Sequence, residues 1–166
     1  MHDIGNYHDA QTILQWVRGH GAEFGKPSCV EQEVAPLGWE FIATGSARSV
    51  WRSPEGIAYK VAHTARRDYQ NTDEVDHLKE AWSKGAPEGC RLPKFSSFDV
   101  YDELVVVMEA INGPRLYDYV NEHGNDGEDY YDRMGLCETR FGLIDMHDEN
   151  VVIDENGLLV PVDFGF

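Results

Sequence analysis

Apolar positions change their period along this chain. Ile13, Leu14 and Val17 recur at helical spacing, and Asp9 ahead of them is a helix-capping type, so a short helix is predicted from Asp9 to about His20. Gly21, Gly25 and Pro27 then mark an irregular stretch. From Gly38 the texture is that of strands, about 38–44, 48–53 and 57–63. They are broken at Gly45-Ser46 and at Ser53-Pro54-Glu55-Gly56. Val75, Leu78, Ala81 and Trp82 return to helical spacing and predict a helix over 71–84, ended by Pro87 and Gly89. Residues 95–111 form a hairpin around Asp102-Glu103, and Asn112-Gly113-Pro114 breaks the chain. A short helix follows over 115–123. Tyr130, Met134, Cys137 and Phe141 give the buried stripe of another helix. The tail from Val151 is a hairpin with Asn156-Gly157 at its turn.

Strands in antiparallel runs, followed by helices, mean an α+β fold rather than alternating α/β. The expected organisation is an appendage over 1–37, a five-stranded antiparallel lobe with one helix over 38–111, and a reduced, mostly helical lobe with a terminal hairpin over 112–166. The expectation is one compact unit. No internal repeat or low-complexity tract interrupts it.

Charge narrows the classes of partner. The 30 acidic residues exceed the 14 basic ones, giving a net charge of -16, which repels phosphate backbones and disfavours direct nucleic-acid binding. The same excess fits a solvated acidic surface, a protein from a high-salt cell, or an inhibitor that mimics nucleic acid. No apolar run approaches the ~20 residues that cross a bilayer, and no signal peptide opens the sequence. Cys29, Cys90 and Cys137 are an odd number without CxxC spacing, which argues against a disulfide framework and a cysteine zinc site. A soluble, reducing, cytoplasmic setting is expected.

The densest chemistry lies at Asp145-Met146-His147-Asp148-Glu149-Asn150, with Asp163-Phe164-Gly165 beyond it. Oxygen-bearing side chains brought together by a loop and a hairpin suit Mg²⁺ or Mn²⁺ with substrate phosphates. A neighbouring carboxylate can orient a hydroxyl nucleophile. Each residue has a plainer reading beside this one. Lys60 can be an ordinary strand lysine, Asp163 a turn former, Gly45 a hairpin glycine and Asp145 a surface carboxylate. His147 can be a zinc ligand, but has no second histidine at a useful spacing.

An Asp followed five residues later by Asn, then a hairpin, then Asp-Phe-Gly resembles the catalytic and metal loops of protein-kinase-like folds. The Asp-x-His-x-x-Asn form resembles the aminoglycoside and choline kinase branch and small phage-encoded protein kinases. It differs from the His-Arg-Asp form of eukaryotic protein kinases. By this resemblance Asp145 is the catalytic base, and Asn150 and Asp163 are the metal ligands. Lys60 matches the strand lysine that holds nucleotide phosphates, and Gly45 and Ser46 lie where the family has its phosphate-covering loop. Here that loop has one glycine where the full pattern has three. The resemblance implies a helix glutamate that pairs with Lys60. Glu74 lies roughly 50° from the centre of the apolar helix face and Glu80 roughly 170° away, which selects Glu74. The backbone around Glu109–Ile111 takes the place of the adenine-binding hinge, and His147 that of a structural hydrogen-bonding residue.

The resemblance covers about 38–166. Full-length members continue past Asp-Phe-Gly into an activation segment and a helical platform, so a shortened form is implied, as in the small phage-type members. The expected function is a minimal phosphotransferase using ATP and Mg²⁺ (or Mn²⁺), with a protein Ser/Thr hydroxyl, or a small-molecule hydroxyl, as acceptor. The alternatives are a kinase-like pseudoenzyme acting on a host protein and an acidic decoy. Salt-sensitive binding to a basic partner would mark the decoy.

Overall fold

The computed structural model describes residues 1–19, 28–65, 69–124, 128–142 and 146–163. Among these residues the fold is α+β, with a five-stranded antiparallel sheet, five α-helices and a separate C-terminal hairpin. The chain divides into two compact units: residues 1–75 with 94–110, and residues 76–93 with 111–166.

In the first unit β1 (Glu40–Thr44), β2 (Arg48–Arg52), β3 (Ile57–Ala62), β4 (Phe95–Val100) and β5 (Glu103–Glu109) form a sheet of order β1-β2-β3-β5-β4. The five strands match the hydrophobic alternation of the sequence. The β4–β5 turn sits one residue earlier than expected, at Tyr101-Asp102, both with positive φ (55° and 61°). Two left-handed residues are what a type I′ hairpin turn requires, and Asp tolerates this better than Tyr. Tyr101 is held there because its hydroxyl accepts hydrogen bonds from Gln11 and Gln15.

Those glutamines belong to α1 (Tyr7–Gly19), which packs on the sheet together with α2 (Ser28–Val34). Ile13, Leu14, Val17, Val30 and Val34 join Trp51, Tyr59, Val61, Val105 and Val107 in one buried cluster. Residues 1–19 and 28–37 therefore supply one side of this unit's core. The cap of α1 is Asn6 rather than Asp9: Asn6 Oδ1 accepts the Asp9 N–H at 2.8 Å. Asp9 instead accepts from Asn6 Nδ2 (2.9 Å) and from the Tyr59 hydroxyl (3.3 Å). Burial pushes the Tyr59 phenol up to about 12, and the nearby Asp9 carboxylate acts in the same direction against the Asn6 N–H. Helix α2 was not legible: its seven residues are too short for a periodic signal. Gly21, Gly25 and Pro27 lie outside the described residues.

α3 (Tyr69–Lys84) begins in the first unit and ends in the second, where Gly85 takes the left-handed conformation (φ 72°) and donates to Ala81 O. Val75, Leu78 and Ala81 are buried as the periodicity predicts. Trp82 is 40% exposed instead, at the edge of that face, with its indole N–H donating to Pro93 O.

The second unit also contains α4 (Leu116–His123), α5 (Glu128–Phe141) and the hairpin β6 (Val151–Ile153) and β7 (Leu159–Pro161). Cys137 and Phe141 form the buried part of the α5 stripe, while Tyr130 and Met134 are half-buried. The hairpin turn is wider than the Asn156-Gly157 signal implies. It spans 154–158, organised by the Asp154 carboxylate, which accepts the N–H groups of Asn156 (2.9 Å) and Leu158 (3.0 Å).

The sulfurs of Cys90 and Cys137, 47 residues apart in sequence, meet within the second unit. Sequence spacing carries no sign of this, because the contact depends only on how α5 packs against the segment before β4. Among the described residues no helix is long and apolar enough to cross a membrane.

Gly113 has a steric role. A Cβ there would collide with the backbone carbonyl oxygen of Ile153, whose own N–H donates to Pro114 O at 3.0 Å. Backbone cannot yield as a flexible side-chain tip can. Gly113→Ala is expected to cost about 3 kcal/mol or more in urea unfolding; a loss below about 1 kcal/mol would show that the two backbones are not this close.

Candidate functional site

The sequence-derived site residues fall in both units, and each group is described within its own. In the first unit Lys60 lies in the middle of β3, opposite Val50 of β2 and Val106 of β5. Strand alternation sends Tyr59 and Val61 toward α1, so Lys60 points to the opposite face with Ala58 and Ala62 on either side. Two alanines leave space beside the lysine stem, and α3 delivers Glu74 there. Glu74 has no exposed surface, and its Oε1 lies 2.5 Å from Lys60 Nζ. Glu80, one and a half turns further on, is solvent-exposed and paired with Lys84 at 2.6 Å, which lowers its carboxyl.

Two further residues complete this cluster. Arg48 Nη1 donates to Glu74 Oε2 at 2.5 Å and to Asn71 Oδ1 at 3.3 Å. Asn71 Nδ2 donates to Lys60 O at 3.1 Å and to Leu104 O at 2.7 Å. One amide thus fastens α3 to both β3 and β5. Sequence reasoning missed Arg48 and Asn71. A signal for Asn71 existed: a helix position one turn before Glu74, three residues apart, shares its face.

Gly45 and Ser46 form an exposed tight turn between β1 and β2, closed by the Gly45 N–H donating to Arg48 O at 2.9 Å. Its flanks are tied to the end of β3. The His63 N–H donates to Ala47 O (2.7 Å), and His63 Nε2 lies 3.1 Å from Thr44 Oγ1. A Cβ at Gly45 would meet nothing closer than 4.0 Å. Glu109 ends β5; its N–H donates to Lys94 O and its carboxylate accepts the Lys94 N–H. Ile111, half-buried, opens the connection to the second unit.

In the second unit Asp148–Asn150 is a single 3₁₀ turn leading into β6. The Val162 N–H donates to Asn150 O at 2.9 Å. That bond sets Asn150 beside the backbone that carries Asp163. His147 Nε2 lies 3.0 Å from Asn150 Nδ2, so the histidine accepts from the amide and leaves Asn150 Oδ1 as the atom to offer a cation. This is the hydrogen-bonding reading of His147 rather than the zinc reading. The Tyr131 hydroxyl donates to Asp148 Oδ2 at 2.8 Å, which raises its pKa. Among the described residues no three His, Cys, Asp or Glu side chains gather as a metal cage. Asn150 and Asp163 offer two protein oxygens, a set that suits Mg²⁺, which keeps waters and takes substrate phosphates. Asp145, Phe164 and Gly165 lie outside the described residues, as do Arg66 and Arg67.

Asp154 holds the hairpin that carries these residues. Burial alone would raise its carboxyl. The hydrogen bond from Arg91 (2.6 Å) and the N–H groups of Leu158 and Asn156 outweigh it, so it lies below the usual aspartate range.

No protein-family model matches the chain, and no curated protein is significantly similar to it.

Two outcomes are expected here. Asn71→Ala removes three buried hydrogen bonds and should cost about 2–4 kcal/mol in chemical unfolding; a cost under about 1 kcal/mol would show that the amide does not fasten α3. A depressed Asp154 pKa adds stability that is complete above the unfolded value of about 3.9 and is lost as pH falls through the folded value. The stability gap between wild type and Asp154→Asn should therefore be flat from pH 5 to 7 and shrink below about pH 4. A gap that widens in acid would reverse the sign.

Proposed function

We propose that this protein is a minimal, protein-kinase-like phosphotransferase that uses Mg·ATP and transfers its γ-phosphoryl group to a hydroxyl, most simply of a protein Ser or Thr. The observation that carries the reading is the buried Lys60–Glu74 ion pair on the sheet of the first unit. Burying a lysine is costly, and a strand lysine with no ligand role is cheaper left in solvent. The element order, the Asn150–Val162 bond beside Asp163 and the Asp145-to-Asn150 spacing support the same reading.

In this reading Lys60 binds nucleotide phosphate oxygens while Glu74 sets the direction of the ammonium. The turn at Gly45 and Ser46 covers the phosphates, and the backbone around Glu109–Ile111 takes the adenine edge. Asn150 and Asp163 hold Mg²⁺, which when bound neutralises charge on the phosphates. Asp145 accepts the proton of the acceptor hydroxyl. The acceptor's hydroxyl oxygen then forms the new bond to the γ-phosphorus as the bond to the ADP oxygen breaks.

Calorimetric titration with ATP, with and without Mg²⁺, tests this. Wild type should bind saturably in a Mg-dependent way, and Asp163→Ala should weaken binding about tenfold or more. Asp145→Asn should keep binding and lose transfer to a Ser/Thr acceptor. Gly45→Ala should leave the melting temperature unchanged, since its Cβ meets open space, yet weaken ATP binding by crowding the phosphates under the turn. Absence of Mg·ATP binding by wild type overturns the proposal. Binding without transfer to any acceptor replaces it with a kinase-like module that acts by holding a partner.

A further inference from the structure

We infer that Arg48 is a positioning residue for Lys60: it holds Glu74 through the second carboxylate oxygen, so that Glu74 stays neutralised and in place while Lys60 engages an anionic ligand. The ligand part of this inference rests on the reading that Lys60 takes the phosphates of ATP.

A lysine that serves a ligand keeps one N–H on Glu74 and turns the others to the anion, which draws positive charge away from Glu74. Glu74 is fully buried, and a buried carboxylate that loses part of its counter-charge is strongly destabilised. Arg48 changes this balance. It is the first residue of β2, one residue past the Gly45-Ser46 turn, and pairs with Ala62, two residues beyond Lys60 on β3. Alternation puts its side chain on the Lys60 face. Its Nη1 reaches Glu74 Oε2 (2.5 Å), Asn71 Oδ1 (3.3 Å) and Gln70 O (3.5 Å), all on α3. Asn71 is itself tied to the backbones of β3 and β5.

Arg48, Asn71 and Glu74 thus make a frame that spans strand and helix without using the Lys60 ammonium. Guanidinium suits this part because it stays charged and its planar fork meets several acceptors at once. Removing Arg48 takes away this second hold on Glu74, so the carboxylate no longer stays fixed to aim the Lys60 ammonium when an anion engages it.

The test uses the full chain and its Arg48→Met, Arg48→Lys and Lys60→Met variants. Thermal melting is combined with calorimetric titration of Mg·ATP, done well below each melting temperature. Arg48→Met should bind Mg·ATP about tenfold more weakly than wild type, although Arg48 is assigned no nucleotide contact, and Arg48→Lys should recover part of that loss. A merely structural arginine would lower the melting temperature and leave the affinity of the folded protein unchanged. Lys60→Met should melt within about 5 °C of wild type, because Glu74 keeps Arg48, whereas loss of a sole buried partner costs about 10 °C in a chain of this size. Affinity of Arg48→Met within twofold of wild type overturns the inference, as does a larger melting loss in Lys60→Met. Where Arg48→Met does not fold, Arg48→Gln is judged by the same affinity criterion. If wild type binds no Mg·ATP, the phosphotransferase reading fails, and the Lys60→Met melting temperature alone decides whether Arg48 holds Glu74.

Discussion

A carboxylate with no exposed surface cannot be left alone inside a protein, and the first unit is arranged around that constraint. Glu74 meets Lys60 on one oxygen and Arg48 on the other, and Asn71 stitches the same helix to the strand backbones. The helix therefore has one admissible rotation. Turned by one residue, it would withdraw the buried glutamate from both cations. The alanines beside Lys60 keep that face shallow enough for the network to form. The apolar weight of the sheet falls on its other side, where Tyr59, Val61, Val105 and Val107 meet α1 and α2.

That division of labour explains the N-terminal segment. A five-stranded sheet with large apolar residues on one face needs a cover. α1 provides it and is anchored at both ends. Asn6 caps its start and donates its backbone N–H to the Tyr59 hydroxyl, and Arg18 near its end pairs with Glu103 and donates to Ala62 O. Gly5 sits against the sheet at positive φ, where a Cβ would press on Val107 and Tyr59. The second unit solves a similar problem with less apolar material. Its hairpin has strands of only three residues, so Asp154, Arg91 and the close passage of Gly113 supply order that a longer ladder would otherwise provide.

Much of this was written in local pattern. Alternation gave five strands nearly to the residue, because strand period and turn residues are local properties. Helical spacing gave α1, α3 and α5. The resemblance implied a helix glutamate paired with Lys60, and helix geometry chose Glu74 over Glu80. The cap of α1 was misplaced because Asp and Asn both satisfy the same local rule, and only the bond from Tyr59 to Asp9 separates their roles. Trp82 was placed too deep because periodicity fixes an angle around the helix and says nothing of how wide the covered face is.

What the sequence determined by itself was therefore the order and type of elements and the facing of side chains within each. Both depend on neighbours a few residues away. The tertiary structure decided which distant groups meet: Arg48 with Glu74, Asn71 with β3 and β5, Arg91 with Asp154, and Cys90 with Cys137. None of these pairs shares a turn or a register that a one-dimensional pattern could record. They exist because burial of the apolar faces brings separate segments together, and the buried polar groups must then find partners where the packing leaves them.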